Sequence, residues 1–217
     1  IIGYMLSIIY KVPLVIDLRD PWTTNPFQKD LKFNIIESLE SKVEKIIFTH
    51  AKKIIVVDKS FINPIIEKYK SINDKFLVVP NGYDEEDFKN IKIKKRNSEI
   101  IKIVHTGNFY PGRDPLPLIK ILNNCSDKNK YIKLELIGSN IDNVRDYPFI
   151  KYCGKLSHVQ AINKMLNADI LLLVPGVGES TMTGKIFEYI AAKKKILCIS
   201  HNTAASKLIK KYILDPR

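Results

Sequence analysis

Residues 169–200 read DILLLVPGVGESTMTGKIFEYIAAKKKILCIS. The opening run, 169–174, and the closing run, 195–200, are apolar, of strand length, and lack the polar alternation of a strand with one wet face. Between them, 184–192 puts Ile186, Phe187, Ile190 and Ala191 on one helical face. Lys185, Glu188 and Ala192 fall on the other, because residues three and four apart are neighbours on a helix. Strand, helix, strand in that order implies parallel strands buried under crossover helices.

The same alternation extends outward. Upstream lie strand-like IIKIVHTG (100–107), a helix over 114–124, strand-like YIKLELIG (131–138) and FIKYCG (149–154), and a helix over 157–167; a helix over 203–212 follows. Earlier still, VPLVID (12–17), KKIIVV (52–57) and KFLVV (75–79) read as strands. A helix over 31–51 aligns Ile35, Ile36, Leu39, Val43, Ile46, Ile47 and His50, and Ser60 is placed to cap another over FINPIIEKY. Pro80, Asn81 and Gly82 stop the last of these strands, and residues 83–99 are almost all polar. The expected fold is α/β, with two Rossmann-like doubly wound parallel-sheet lobes: 1–84, a linker over 85–99, and 100–217. The start, IIGYMLSIIYKVPLVID, reads as the end of a helix entering a strand, so the first lobe is expected to be incomplete. No short fixed repeat is present, which argues against a solenoid.

The chain has 217 residues, 45% of them hydrophobic, enough for one large domain or two small ones. Its net charge of +12 is mostly lysine; the arginines are Arg19, Arg96, Arg113, Arg145 and Arg217. Such a surface suits a phosphorylated ligand or an anionic membrane, or reflects a lysine-rich composition alone. No compact stripe of basic and aromatic residues occurs, so nucleic acid is not an expected partner. Cys125, Cys153 and Cys198 are scattered in apolar surroundings and read as reduced core residues, which suits the cytoplasm. No run reaches the roughly 20 apolar residues of a membrane span.

In open parallel sheets, ligands bind beyond the carboxyl ends of the strands. Three loops there carry chemistry. In HTGNFYPGRDP (105–115), Gly107 and Gly112 allow close backbone approach, and Asp114 and Pro115 form a helix start. Arg113 is either an anion ligand at that start or a solvated arginine beside an ordinary glycine turn. In PGVGESTMTGK (175–185), five residues separate Gly178 from Gly184 and Ile186 follows Lys185, so the nucleotide-triphosphatase spacing fails. A glycine-containing loop that feeds Thr183, Gly184 and Lys185 into a helix is still a phosphate cradle in outline. Lys185 and Glu188 are either a solvated ion pair or ligands for phosphate and for sugar hydroxyls, with small Ala192 leaving room beside them. In DLRDPWTTNPF (17–27), Arg19, Asp20 and Trp22 form a polar-aromatic loop, either a sugar site or a structural Asp–Arg pair. There is no Asp-x-Asp loop pair, no nucleophile elbow and no Gly-x-Gly-x-x-Gly, and the four histidines have no metal spacing.

The stretches VIDLRDPW, AKKIIVVDKS, FLVVPNGYDEEDF, IVHTGNFYPGRDPLPLI, LELIG, YCGKLSHVQAINKMLNADILLLV and TGKIFEYIAAKKKIL, in this order, cover most of the chain. The ordered set resembles GT-B glycosyltransferases of the family 4 type, the retaining bacterial enzymes of polysaccharide synthesis. In that family an arginine usually follows the glycine of the phosphate loop, with a lysine five residues on. Here Asn108 and Arg113 stand at those places, so one cation is kept. Glu188 matches the glutamate that holds the donor ribose. The family's earlier glutamate would fall at Ser180, with Glu179 one place off. Lys155 and Leu156 match the stretch that flanks the nucleotide base. The family has further chain at both ends, so the resemblance implies a fragment.

What the resemblance implies is metal-independent, cofactor-free transfer of a sugar from a nucleotide-diphosphate donor to a glycan or lipid-linked acceptor, with retention. Arg113 and Lys185 would steady the departing diphosphate, Gly107 would allow approach, and Asp20 would act on the acceptor side with Arg19 and Trp22. The setting would be the cytoplasm, with peripheral contact at the inner face of the membrane. A nucleotide-sugar epimerase of the same fold and a non-catalytic sugar-nucleotide-binding module stay open beside it.

Overall fold

The computed structural model describes residues 1–25, 34–89, 91, 93, 99–109, 113–124, 131–138, 147–176, 183–199 and 203–214. The chain forms two compact units, Ile1–Asn81 and Gly82–Arg217. Gly112, Cys125, Gly178, Glu179 and Ser180 lie outside the described residues, as does most of 90–98.

The first unit runs α1 (Ile2–Ile9), β1 (Val15–Leu18), α2 (Asn34–His50), β2 (Lys53–Val56), α3 (Ile62–Lys68) and β3 (Phe76–Val78). Its three strands are parallel in the order β1-β2-β3. Ile54 and Val56 of central β2 are fully buried, and Phe48, Ile65, Tyr69 and Ile72 pack around them. The run at 12–17 reads as a strand buried on both faces, yet β1 alternates exposed and half-buried residues. With β2 as its only strand partner among the described residues, it is an edge here.

The start of α3 also departs from expectation. Ser60 does not cap it: α3 starts behind Phe61 with no side-chain cap, and Asp58 caps the 3-10 turn before it, its carboxylate accepting from the Ser60 amide at 2.8 Å. Asp58 has the extended backbone (φ −151°, ψ 150°) that lets a side chain turn back onto the following amides, and a 3-10 turn over Lys59–Phe61 leads into the helix. Pro64 sits in the first helical turn, where its missing N–H costs nothing.

The second unit runs β4 (Ile101–Thr106), α4 (Leu116–Asn124), β5 (Ile132–Ile137), β6 (Ile150–Tyr152), α5 (His158–Leu166), β7 (Ile170–Leu173), α6 (Lys185–Ala191), β8 (Lys195–Cys198) and α7 (Ala204–Leu214). All five strands are parallel, in the order β6-β5-β4-β7-β8. One core, built on Val104, Ile162, Met165, Leu171, Ile186 and Tyr189, lies apart from a second built on Ile103, Ile119, Leu134 and Leu172. Neighbouring residues of β4 and β7 thus divide between the two, as expected for a sheet covered on both faces. Ser157 starts α5 with a full capping box to Gln160. Glu135 of β5 is buried between Lys164 at 2.8 Å and Lys102 at 3.2 Å. Burial alone would raise its pKa, but the two ammonium groups outweigh it and hold the carboxyl below its ordinary value. Cys153 and Cys198 are half-buried free thiols against the first of these cores.

Candidate functional site

The strand order of the second unit fixes where a ligand belongs. The chain leaves β4 toward β5 and β6, then returns to β7 and β8 on the other side. The helices that follow β4 and β7 pack on different cores, Ile119 of α4 in one and Ile186 of α6 in the other. In parallel sheets such a change of strand order marks the place, beyond the carboxyl ends of the two strands, where ligands bind. Gly107 follows β4, and the residues after β7 lead to Thr183, Gly184 and the start of α6.

Gly107 has φ +124°, a conformation suited to glycine, and donates its amide to the Ile137 carbonyl at 2.7 Å. A Cβ there would lie 1.6 Å from Lys185 Nζ and 2.5 Å from Lys185 Cε. The lysine therefore reaches from α6 to lie against the bare glycine backbone. Gly138, after β5, has φ +130°, and a Cβ on it would come 2.3 Å from the Gly107 carbonyl oxygen. Two glycines thus bring the loops after β4 and β5 into backbone contact beneath the lysine.

Lys185 is held below its ordinary pKa first by burial and then by the positive charge of Arg113, with Glu188 opposing. Arg113 is half-buried just before α4, whose first amide, Leu116 N–H, donates to the Asp114 carboxylate at 2.8 Å. Among the described residues, no carboxylate lies within salt-bridge distance of Lys185. Two cations that act on one another at the carboxyl end of a parallel sheet would attract an anion.

His105, in β4 directly behind Gly107, is buried and stacks on Phe109 with centroids 4.3 Å apart. Its Nδ1 lies 2.8 Å from the Leu172 carbonyl of β7; a carbonyl only accepts, so Nδ1 carries the proton. Burial, followed by the charges of Lys185 and Arg113, pushes its pKa down to about 4, and the ring is neutral. Tyr189 of α6 is fully buried; its hydroxyl accepts from the Thr106 amide at 3.0 Å and lies 3.3 Å from the Leu172 carbonyl oxygen. His105 and Tyr189 thereby join β4, β7 and α6 beneath the site. Neither stood out in the sequence, since each makes its contact across more than fifteen residues.

Glu188, one turn after Lys185, is 28% exposed and is not ion-paired with that lysine. It accepts instead from His158 Nε2 at 3.1 Å. Thr183 is buried, Gly184 is exposed, and Ile186 donates to the Thr183 carbonyl at 3.2 Å. Asn108 is exposed beside Gly107. Lys155 is exposed and Leu156 half-buried in the connection from β6 to α5, with Leu156 against the core. Ala192 is a correction: it is buried in the core among Ile186 and Tyr189, so it leaves no room for a ligand. As the helix ends, its small side chain faces the sheet.

Arg19, Asp20 and Trp22 belong to the first unit. Arg19 pairs with Asp17 at 2.8 Å and donates to the Asn81 side chain at 2.6 Å. Asp20 is exposed, and Trp22 is half-buried against the first unit's core. This loop is pinned from behind by Glu44, which is fully buried and accepts from the Thr23 amide at 3.2 Å, the Thr23 hydroxyl and the Tyr69 hydroxyl at 2.7 Å. An open basic pocket of about 520 Å³, lined by Lys42, Lys45 and Lys68, lies on the same unit. Among the described residues, no group of three His, Cys, Asp or Glu side chains is placed to hold a metal ion, and no helix is long and apolar enough to cross a membrane.

No protein-family model matches the chain, and no curated protein matches it. Solved structures do. Anabaena Alr3699/HepE in complex with UDP-glucose superposes with a TM-score of 0.63 at 16% identity, over 99% of this chain and 66% of that one. A glycosyltransferase from Rickettsia africae gives 0.63 at 15% identity, over 94% and 62%. S. aureus TarM, in complex with Fondaparinux, alpha-GlcNAc-glycerol and UDP, gives 0.56 at 13%, over 77% and 34%. The chain spans under two thirds of the length of these relatives in each case, and at such identities the likeness establishes the fold: two Rossmann-like parallel-sheet lobes of the GT-B type.

Proposed function

We propose that this chain is the nucleotide-sugar-binding part of a glycosyltransferase, which moves a sugar from a nucleotide-diphosphate donor to a glycan or lipid-linked acceptor. The observation that carries the reading is the Lys185 ammonium lying against Gly107 at the strand-order switch, faced by the charge of Arg113. A diphosphate leaving group gains negative charge as the glycosidic bond breaks, and preorganised cations stabilise that charge without a strong nucleophile. Lys185 and Arg113 take this role. Glu188 accepts from the donor ribose, Thr183 and Gly184 border the phosphates, and Asn108, Lys155 and Leu156 border the nucleotide. We assign Arg19, Asp20 and Trp22 to the acceptor side, retention to the stereochemical course, and charge supply to side chains rather than to a metal. The net charge of +12 suits a cytoplasmic protein held peripherally at an anionic membrane where lipid-linked acceptors lie.

Because Alr3699/HepE and TarM are solved with UDP, UDP-sugars head the list of donors to test. In a thermal-shift panel of UDP-, GDP-, ADP- and dTDP-sugars, one class raises Tm by several degrees when present at about 100 times its Kd. Arg113→Ala and Lys185→Ala each remove most of that shift. A panel in which both variants respond as the parent does overturns the phosphate assignment. Product analysis then separates transfer from epimerisation of the donor and from binding without turnover.

A further inference from the structure

His158 stands between two carboxylates. Its Nε2 lies 3.1 Å from Glu188 Oε1, and its Nδ1 lies 3.5 Å from Asp87 Oδ2. Each partner comes from a firmly held element. Asp87 sits in the 3-10 turn Glu86–Phe88, whose Glu86 amide donates to the Asp84 carboxylate at 2.9 Å and whose Phe88 packs against the core. His158 is the first residue of α5, behind the Ser157–Gln160 capping box. Glu188 rides on α6, whose Ile186 and Tyr189 are fully buried. Nε2 donates to Glu188, and the Asp87 carboxylate, at ion-pair distance from Nδ1, stands behind the ring on its other side.

The contact decides what Glu188 does. Lys185 is three residues back on the same helix, the spacing at which a lysine and a glutamate pair by default. If they paired, the ammonium would leave Gly107 and the carboxylate would be spent on it. His158 takes Glu188 from the other side, and Lys185 stays on the glycine.

We infer that His158 is a positioning residue: backed by Asp87, it holds the Glu188 carboxylate away from Lys185 and presents it to the vicinal hydroxyls of a ribose, so that the three residues select a ribonucleotide over one lacking the diol. This rests on the assignment of Glu188 to the ribose.

The test is isothermal titration of the full chain with UDP, 2′,3′-dideoxy-UDP and inorganic pyrophosphate. The parent prefers UDP to the dideoxy compound about ten-fold or more, the worth of a hydrogen bond to a charged group. Glu188→Ala abolishes the preference. His158→Ala shrinks it to within about two- to three-fold and also weakens pyrophosphate, because the released carboxylate now pairs with Lys185. His158→Gln, which keeps an N–H donor, restores most of the preference, a rescue that a purely structural role for the ring would not give. His158→Ala with an undiminished preference, while Glu188→Ala loses it, overturns the role of His158 and leaves the ribose assignment standing. A parent with no preference for the diol, or a preference that survives Glu188→Ala, overturns both.

Discussion

Gly107→Ala perturbs the proposed phosphate site through a single carbon. The new methyl would lie 1.6 Å from Lys185 Nζ, 2.5 Å from Cε and 3.4 Å from Cδ. The end of a lysine is flexible, so the side chain yields and the ammonium is expelled. Backbone strain adds to this, since φ at this position is +124° and a non-glycine residue there costs on the order of 1–3 kcal/mol. Loss of one charge-assisted contact to phosphate is worth about 1.5–3 kcal/mol, which is roughly 10- to 100-fold in affinity for UDP. Isothermal titration with UDP, run beside urea unfolding, separates the two effects. Lys185→Ala alone lowers affinity by a similar factor with little loss of stability. In the Gly107→Ala background, adding Lys185→Ala lowers affinity by less than about three-fold, because the lysine is already displaced, and it recovers part of the stability by removing the clash. Independent, multiplying affinity losses, or Gly107→Ala binding UDP as the parent does, would refute the claim that this ammonium works from the glycine surface.

Three further outcomes follow from the same geometry. Gly138→Ala destabilises the protein by several kcal/mol, since its methyl would meet the Gly107 carbonyl oxygen at 2.3 Å and backbone cannot swing aside; Gly154→Ala, with φ +67° and open space around it, costs only about 1–2 kcal/mol, and urea midpoints rank the two. His105, pushed down to about 4, takes up its proton more readily when unfolded, so its share of stability is intact above its ordinary value of 6.5 and is lost as pH falls from there toward 4. His105→Phe, which retains a ring against Phe109, flattens that slope by up to about 3 kcal/mol between pH 7 and pH 4 in urea titrations. Glu44→Gln loosens the 17–25 loop, because one amide oxygen cannot serve three donors and its NH₂ opposes them; the expected loss is about 1–3 kcal/mol, with faster proteolysis in that loop.

The fold was legible where burial is two-sided. Leu171–Leu173 is buried without interruption and reads as an unbroken apolar run; Leu134–Ile137 is equally buried, with Glu135 the one charged residue in it, held between Lys102 and Lys164. The run at 12–17 looks the same in sequence yet belongs to a strand with alternate exposure, because composition does not report how many neighbours a strand has. Ser60 is no cap for α3, because a 3-10 turn capped by Asp58 runs straight into the helix and leaves its start at Phe61 without a side-chain cap. Glycine, arginine and lysine at loop positions single out Gly107, Arg113 and Lys185; folding lays the Lys185 ammonium against Gly107 and within reach of the Arg113 charge. Ala192 was misjudged because the face of a seven-residue helix is poorly defined at its end. His158 gave no signal at all: its partners stand 30 and 71 positions away, and only folding brings Asp87 and Glu188 to its two nitrogens.

The most direct measurement is a crystal structure of the chain with UDP bound. The account predicts the diphosphate beyond the carboxyl ends of β4 and β7, within hydrogen-bond distance of Lys185 Nζ and the Arg113 guanidinium, with the ribose hydroxyls on Glu188. A diphosphate bound elsewhere, or a ribose with no contact to Glu188, would contradict it.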